Sequence, residues 1–137
     1  MPNCLRTGGL YESVLMRLLN RIGDAYTQNV ADRINAMLAD GNDFTISELV
    51  ASEIYYALQH HYGYSKEDAI LALRAIAAAP GFSFSPEAKV SLDTPEAWKA
   101  SPGFVDRMIA AGYAAKGFVT VSCEKDFRKL DFTEVIS

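Results

Sequence analysis

The sequence has few cysteines and no long apolar run, and each shortage excludes a class of protein. Cys4 and Cys123 stand near opposite ends of the 137-residue chain, without the spacing of a metal site or a disulfide framework. We therefore expect free thiols and a reducing, cytoplasmic location. No apolar stretch approaches the roughly 20 residues of a membrane span, and residues 1–9 lack the apolar core of a signal peptide. No membrane association is expected.

Basic residues are also in short supply, since 13 Lys and Arg face 17 Asp and Glu and the formal net charge is −4. This balance argues against a protein that holds nucleic acid by bulk positive charge. The 50% hydrophobic and 22% charged content is that of an ordinary globular protein. Because no repeat or linker-like shift divides the chain, we expect one domain over residues 1–137. Residues 1–9, with Gly8 and Gly9, are expected to be a flexible lead-in.

The apolar pattern alternates between helical and extended spacing. It predicts helices over residues 26–39, 47–62, 68–79, 86–98 and 103–115, and short strands over residues 44–46, 82–84, 118–121 and 134–136. Pro95 either starts or breaks the helix predicted over residues 86–98. Residues 10–19 combine helical spacing with a segment around Leu10 and Val14 that could be a strand. Strands that alternate with helices predict an α/β sandwich.

Two acids occupy helical positions where apolar residues are expected. Glu53 lies within about 40° of Leu49 and Ala57 on a helical wheel, on the predicted apolar stripe. A carboxylate buried there must be paired, protonated or bound to a cation; alternatively, the helix is rotated and Glu53 reaches the surface or an arginine. Asp106 shares a face with Ile109 and Tyr113, although an acid in the first turn of a helix needs no further explanation.

A third acid, Glu124, follows the predicted strand at residues 118–121. Functional groups in α/β sheets gather at the carboxyl ends of the strands. Asp126 shares the same turn, and either acid could simply cap a short helix that begins near Lys125. Three acids from three elements, with no His or Cys spacing typical of zinc, would suit a hard cation such as Mg²⁺ or Mn²⁺.

Four segments carry the motifs of one known family, in the order in which that family has them. They are residues 44–58, FTISELVASEIYYAL, residues 61–68, HYGYSKED, residues 103–109, GFVDRMI, and residues 121–127, VSCEKDF. The first two resemble the central helix pair of PIN-domain ribonucleases, and in particular of the toxin component of VapBC-type toxin–antitoxin pairs. The third resembles that family's Asp-Phe-x-Asp-Ala-Leu-Ile helix start, and the fourth its Thr-Phe-Asp-x-Asp-Phe strand end.

The resemblance implies a three-layer α/β/α sandwich with a mainly parallel central sheet and an acidic site for one or two divalent cations. The family's glutamate falls on Glu53, its third-motif aspartate on Asp106, and its strand-end acid on Glu124. Ser122 takes the place of the family's hydroxyl residue. The implied function is endoribonuclease activity that depends on Mg²⁺ or Mn²⁺, and the implied partners are RNA, an antitoxin-like protein and a second copy in a homodimer.

Three positions depart from the family pattern. The family opens with an Asp-Thr-Asn or Asp-Thr-Ser step, whereas this chain has residues 10–19, LYESVLMRLL. In an alignment without a gap, Tyr11 stands at the position of the family's first aspartate. In an alignment with one residue deleted, Glu12 stands at that position and would be the metal ligand. Gly103 stands where an additional aspartate is usual, and Glu124 is an Asp-to-Glu change. These departures predict a weakened metal site, or else a catalytically silent binding or regulatory protein.

Overall fold

A computed structural model describes residues 6–19 and 25–137 of the chain. Its first sheet contains three strands, β1 (Thr7–Gly9), β2 (Asp43–Ile46) and β3 (Phe82–Phe84), in the order β1-β2-β3. Both pairs are parallel, and Phe44 of β2 lies opposite Gly8 on one side and Phe82 on the other. Parallel strands need crossover connections, which the helices between these strands supply.

A second sheet forms near the carboxyl end of the chain. Strands β4 (Thr120–Ser122) and β5 (Thr133–Val135) pair in parallel, and a 3-10 helix at Lys125–Lys129 lies between them. Within the described ranges, no hydrogen-bonded ladder joins this pair to β1-β2-β3. The parallel pairing expected from the sequence is therefore present, but it is divided between two sheets.

Six α-helices accompany the strands in the described part of the chain. They are α1 (Glu12–Leu19), α2 (Ala25–Ala39), α3 (Glu48–His61), α4 (Lys66–Ala78), α5 (Pro86–Leu92) and α6 (Phe104–Ala115). Ser47 and Ser65 begin α3 and α4 by accepting hydrogen bonds from Val50 N–H at 3.2 Å and Asp68 N–H at 3.0 Å. Along residues 6–19 and 25–137, no helix is long and apolar enough to cross a bilayer.

The hydrophobic core is centred on α3. Ile54 and Leu58 are fully buried there, as are Ile70 and Leu73 of α4. Phe104 at the start of α6 is 1% exposed, and its ring centroid lies 5.0 Å from that of Tyr55. These contacts fix the beginning of α6 against the middle of α3, and both helices carry predicted site residues.

The structure corrects the expected amino-terminal segment. Gly8 and Gly9 belong to strand β1 and are not a flexible lead-in, while the strand suggested around Leu10 and Val14 gives way to α1. A Cβ atom on Gly8 would lie 3.3 Å from the ring of Phe44. Glycine therefore lets β1 approach β2 under that ring. Residues 1–5 of the predicted lead-in lie outside the described residues.

The helix predicted over residues 86–98 ends early, which agrees with the alternative that Pro95 breaks it and not with the alternative that Pro95 starts it. Helix α5 ends at Leu92, and Asp93 N–H donates to the Lys89 carbonyl as the chain leaves the helix. Pro95 disfavours helical geometry in the residue before it. The other predicted helices at residues 26–39, 47–62, 68–79 and 103–115 agree with α2, α3, α4 and α6 to within two residues at each end.

One face of the β4–β5 pair carries exposed apolar side chains. Val119, Val121 and Ile136 are between 53% and 59% exposed, and Glu134 lies beside Val121 in the ladder. Side chains alternate along a strand, so Thr120 and Ser122 point to the opposite face, where Thr120 is buried. We call this surface, defined by Val119, Val121, Glu134 and Ile136, the outer β4–β5 face.

Candidate active site

Glu53 lies on the exposed side of α3. The buried residues of this helix are Ala51, Ile54, Tyr55, Ala57 and Leu58, whereas Glu53 is exposed and Leu49 is 72% exposed. The expectation that Glu53 projects from the apolar stripe is therefore wrong, and the rotated-helix alternative is correct. The bulky Ile54, Tyr55 and Leu58 set the rotation because together they bury more apolar surface than Leu49 would.

Asp106 is half-buried in the first turn of α6. Gly103 occupies the position before this helix and provides no side-chain cap. Arg107 turns away from Asp106, since its Nε donates to the Pro102 carbonyl at 2.7 Å. Ile109 and Tyr113, which share the Asp106 face of α6, are 49% and 47% exposed. This acid therefore stands at the edge of an open, partly apolar helix face.

Glu124 and Ser122 form a turn at the end of β4. The Ser122 hydroxyl oxygen accepts a hydrogen bond from the Glu124 N–H at 3.0 Å, and Glu124 is the exposed residue that precedes the 3-10 helix. Asp126, in the same turn, accepts a hydrogen bond from the Ser101 hydroxyl at 2.5 Å. The Asp126 carboxylate thus joins the segment before α6 to the β4–β5 pair.

Glu12 begins α1 directly after the first sheet. Leu10 N–H still pairs with the Thr45 carbonyl, and the Tyr11 carbonyl accepts the first hydrogen bonds of the helix. Glu12 is half-buried, whereas the Tyr11 side chain is 64% exposed. The choice between Tyr11 and Glu12 as the counterpart of the family's first acid therefore stays a prediction.

The predicted acids do not assemble into a metal-binding group. Among residues 6–19 and 25–137, no three His, Cys, Asp or Glu side chains are arranged to hold one ion. The four predicted metal ligands belong to four different elements. Three stand at the start of a helix, namely Glu12, Asp106 and Glu124, and Glu53 lies on the exposed side of α3. The residues in this arrangement do not fit a three-carboxylate Mg²⁺ or Mn²⁺ site.

Two of the predicted acids, Glu53 and Asp106, each lie about one helical turn from a residue that lines a small groove between α3 and α6. Leu49 and Ser52 contribute from α3, and Ile109, Gly112 and Tyr113 from α6. Glu53 is the i+4 neighbour of Leu49, and Asp106 precedes Ile109 by three residues, spacings that place helix side chains side by side. Sequence reasoning missed the groove because it assigned Leu49 and Tyr113 to core stripes.

The chain belongs to the PIN domain family, because the model of that family matches residues 12–133 and so covers most of the 137 residues. The match confirms the predicted α/β/α sandwich with parallel strands. A comparison with curated proteins finds no match.

Among solved structures, the chain is similar to the crystal structure of VapBC2 from Rickettsia felis bound to a DNA fragment from their promoter. The two are 17% identical in sequence, the alignment covers 96% of this chain and 98% of that one, and the TM-score is 0.38. The family assignment therefore rests on the PIN domain match.

Proposed function

We propose that this chain is a toxin-type PIN-domain protein that acts on RNA, with a weakened endoribonuclease activity dependent on Mg²⁺ or Mn²⁺. The observation that carries the proposal is the dispersed arrangement of the acids at the family's positions, together with the family match to residues 12–133. Hard divalent cations require several oxygen ligands in a fixed geometry. Fewer converging carboxylates mean lower metal affinity and slower hydrolysis.

Glu53, Asp106, Glu124 and Ser122 are the residues to which we assign any remaining activity, with Glu12 as a further candidate for metal binding. Glu53 and Glu124 are exposed, and Glu12 and Asp106 are half-buried, so all four carboxylates are open to solvent to some degree. Ser122 has its hydroxyl engaged as an acceptor from the Glu124 N–H. This bond supports a role in orienting the turn that carries Glu124.

The proposed partners follow from the family resemblance. We propose an antitoxin-like protein as a regulatory partner, a homodimer as the assembly and the cytoplasm as the location. Cys123 is an exposed free thiol, which suits a reducing compartment; Cys4 lies outside the described residues.

The proposal is tested by titrating Mn²⁺ and Mg²⁺ into the protein by calorimetry and assaying cleavage of structured RNA at each concentration. We expect metal binding only near millimolar concentration and slow cleavage that Glu53→Gln abolishes. Glu67→Gln, at an exposed acid in the first turn of α4, is the matched control and should cleave as the wild type does. Fast cleavage at micromolar metal would contradict a weakened site.

Restoring the family's acids provides a second arm of the same test. Gly103 has a φ of −72° and nothing lies within 4 Å of a Cβ atom built on it, so an aspartate fits there without strain. The double variant Gly103→Asp with Glu124→Asp should therefore bind Mn²⁺ more tightly and cleave RNA faster than the wild type. If the double variant folds but its Mn²⁺ affinity is unchanged, positions 103 and 124 do not contribute to a metal site.

A second candidate function is a catalytically silent binding or regulatory protein. The outer β4–β5 face favours it, because a contiguous exposed apolar surface is typical of a protein contact. The titration of Mn²⁺ and Mg²⁺ with the RNA cleavage assay distinguishes the two functions. Absence of both cleavage and metal binding at millimolar Mn²⁺ would favour the silent protein over the weakened nuclease.

A further inference from the structure

The groove between α3 and α6 has apolar walls and a buried floor. Leu49, Ile109 and Tyr113 form its walls with exposures of 72%, 49% and 47%, and Met108 at 2% exposure lies at its base. Its volume is about 180 Å³, below the roughly 300–1,000 Å³ of pockets for drug-sized ligands. It therefore accommodates one flat ring system or one side chain.

Charged groups of opposite sign also line the groove. Glu48 comes from the first turn of α3, and Lys116 follows the last turn of α6. Neither Glu48 nor Lys116 forms an ion pair with another described residue. The salt bridge among the described residues joins Lys99 and Glu96. The site thus offers an anionic hydrogen-bond acceptor and a cation on either side of an aromatic and aliphatic surface.

We propose that this groove binds a single unstacked guanine base of an RNA strand, an inference that rests on the proposed function because it assigns the sequence preference of the same substrate. Unpaired bases in RNA are recognised by stacking on aromatic side chains and by hydrogen bonds to their Watson–Crick edges. Tyr113 supplies the stacking surface, and Leu49 and Ile109 cover the rest of the ring.

Glu48 selects the base. A carboxylate only accepts hydrogen bonds and presents two oxygens, and the guanine edge offers an imino N–H and an amino group side by side. Uracil presents one N–H between two carbonyl oxygens, and these would lie against the carboxylate. Lys116 is then available to the phosphate that follows the base.

The position of the groove links base binding to the candidate active site. Glu53 neighbours Leu49 on α3, and Asp106 neighbours Ile109 on α6. A base held in the groove would therefore place its own phosphodiester about one helical turn from each of these carboxylates. Tyr113 and Glu48 are therefore positioning residues in this proposal.

The proposal is tested by fluorescence anisotropy in the presence of EDTA, so that binding is measured apart from cleavage. The probes are a labelled uridine octamer and the same octamer with one central guanosine. The wild type should bind the guanosine octamer more tightly. Tyr113→Leu, which keeps an apolar wall without the aromatic ring, should weaken that binding about ten-fold. Glu48→Gln should reduce the preference for guanosine over uridine.

Two control variants separate the groove from the rest of the surface. Tyr62→Leu changes a tyrosine of nearly equal exposure, 46%, at the far end of α3, and Glu67→Gln changes an acid in the first turn of α4. Both should bind the guanosine octamer as the wild type does. Equal affinity for the two octamers, or equal effects of Tyr113→Leu and Tyr62→Leu, would overturn the proposal. A change in oligomeric state on Tyr113→Leu, seen by light scattering without any change in RNA affinity, would identify a protein contact instead.

The outcomes also separate this inference from the proposed nuclease function. Guanosine preference without cleavage supports the base pocket and contradicts the nuclease. Glu53-dependent cleavage that is insensitive to guanosine and to Tyr113→Leu supports the nuclease and overturns the base pocket.

Discussion

Three serines precede helices in this protein, and their side chains have different roles. Ser47 and Ser65 accept hydrogen bonds from backbone N–H groups of α3 and α4. Ser85 precedes α5 without a side-chain cap, and its hydroxyl is buried with no hydrogen-bond partner among the described residues. The same residue type at the same helix position therefore stabilises two helices and leaves an unsatisfied hydroxyl at the third.

This difference predicts opposite responses to alanine. Ser47→Ala and Ser65→Ala should each lower the free energy of unfolding by about 1 kcal/mol, the usual cost of a lost cap. Ser85→Ala should leave it unchanged or raise it slightly, because the variant removes a buried group that lacks a partner. Urea unfolding of the three variants measures the effect, and a loss at Ser85 as large as that at Ser47 would contradict the assignment.

The sequence singles out candidate acids but does not predict their surroundings. Glu53, Asp106 and Glu124 follow from the order of the motifs, and Gly103 and Tyr11 from departures at family positions. The exposure of Glu53 did not follow, because a helical wheel for α3 contains apolar residues on both sides and only tertiary packing decides which side is buried. For the same reason, no pattern in the sequence indicated the groove between α3 and α6.

At the scale of elements, α3 shows which features are local. Its ends follow from Ser47 before the helix and Gly63 after it, and they were predicted to within one residue. Its contact with α6 depends on Tyr55, which is 6% exposed and packs against Phe104. Burial raises the pKa of the Tyr55 hydroxyl, with a further increase from neighbouring Tyr56 and an opposing decrease from a hydrogen bond with Gln59.

The raised pKa of Tyr55 predicts a loss of stability at alkaline pH. The folded state holds the phenolic proton more tightly than the unfolded state, whose tyrosine titrates near pH 10. The Tyr55 contribution to the free energy of unfolding is thus constant below about pH 10 and falls as the pH rises further. Tyr55→Phe should reduce this dependence in urea unfolding at pH 9 to 11, whereas Tyr56→Phe, at a half-exposed tyrosine, should retain it. Parallel pH profiles for the wild type and Tyr55→Phe would contradict the burial effect.

At the scale of the whole molecule, the alternation of strands and helices predicted the α/β class and the parallel pairing. The division into β1-β2-β3 and β4–β5 was not predicted, because strand pairing joins residues that are distant in the chain. Short strands of three or four residues carry too little pattern to specify their neighbours. The family match supports the sandwich as a whole.

The outer β4–β5 face has a consequence for the solubility of the protein. Three exposed apolar side chains on a short parallel pair form a surface prone to aggregation, and Glu134 is the charged residue within it. A charge so placed acts as a gatekeeper against self-stacking of the face. Glu134→Val should therefore lower the concentration at which the folded protein precipitates, measured by turbidity, while Glu96→Val, at an exposed acid in the segment after α5, should not. One carboxylate that no functional motif requires would then keep the folded protein in solution at concentrations at which the valine variant precipitates.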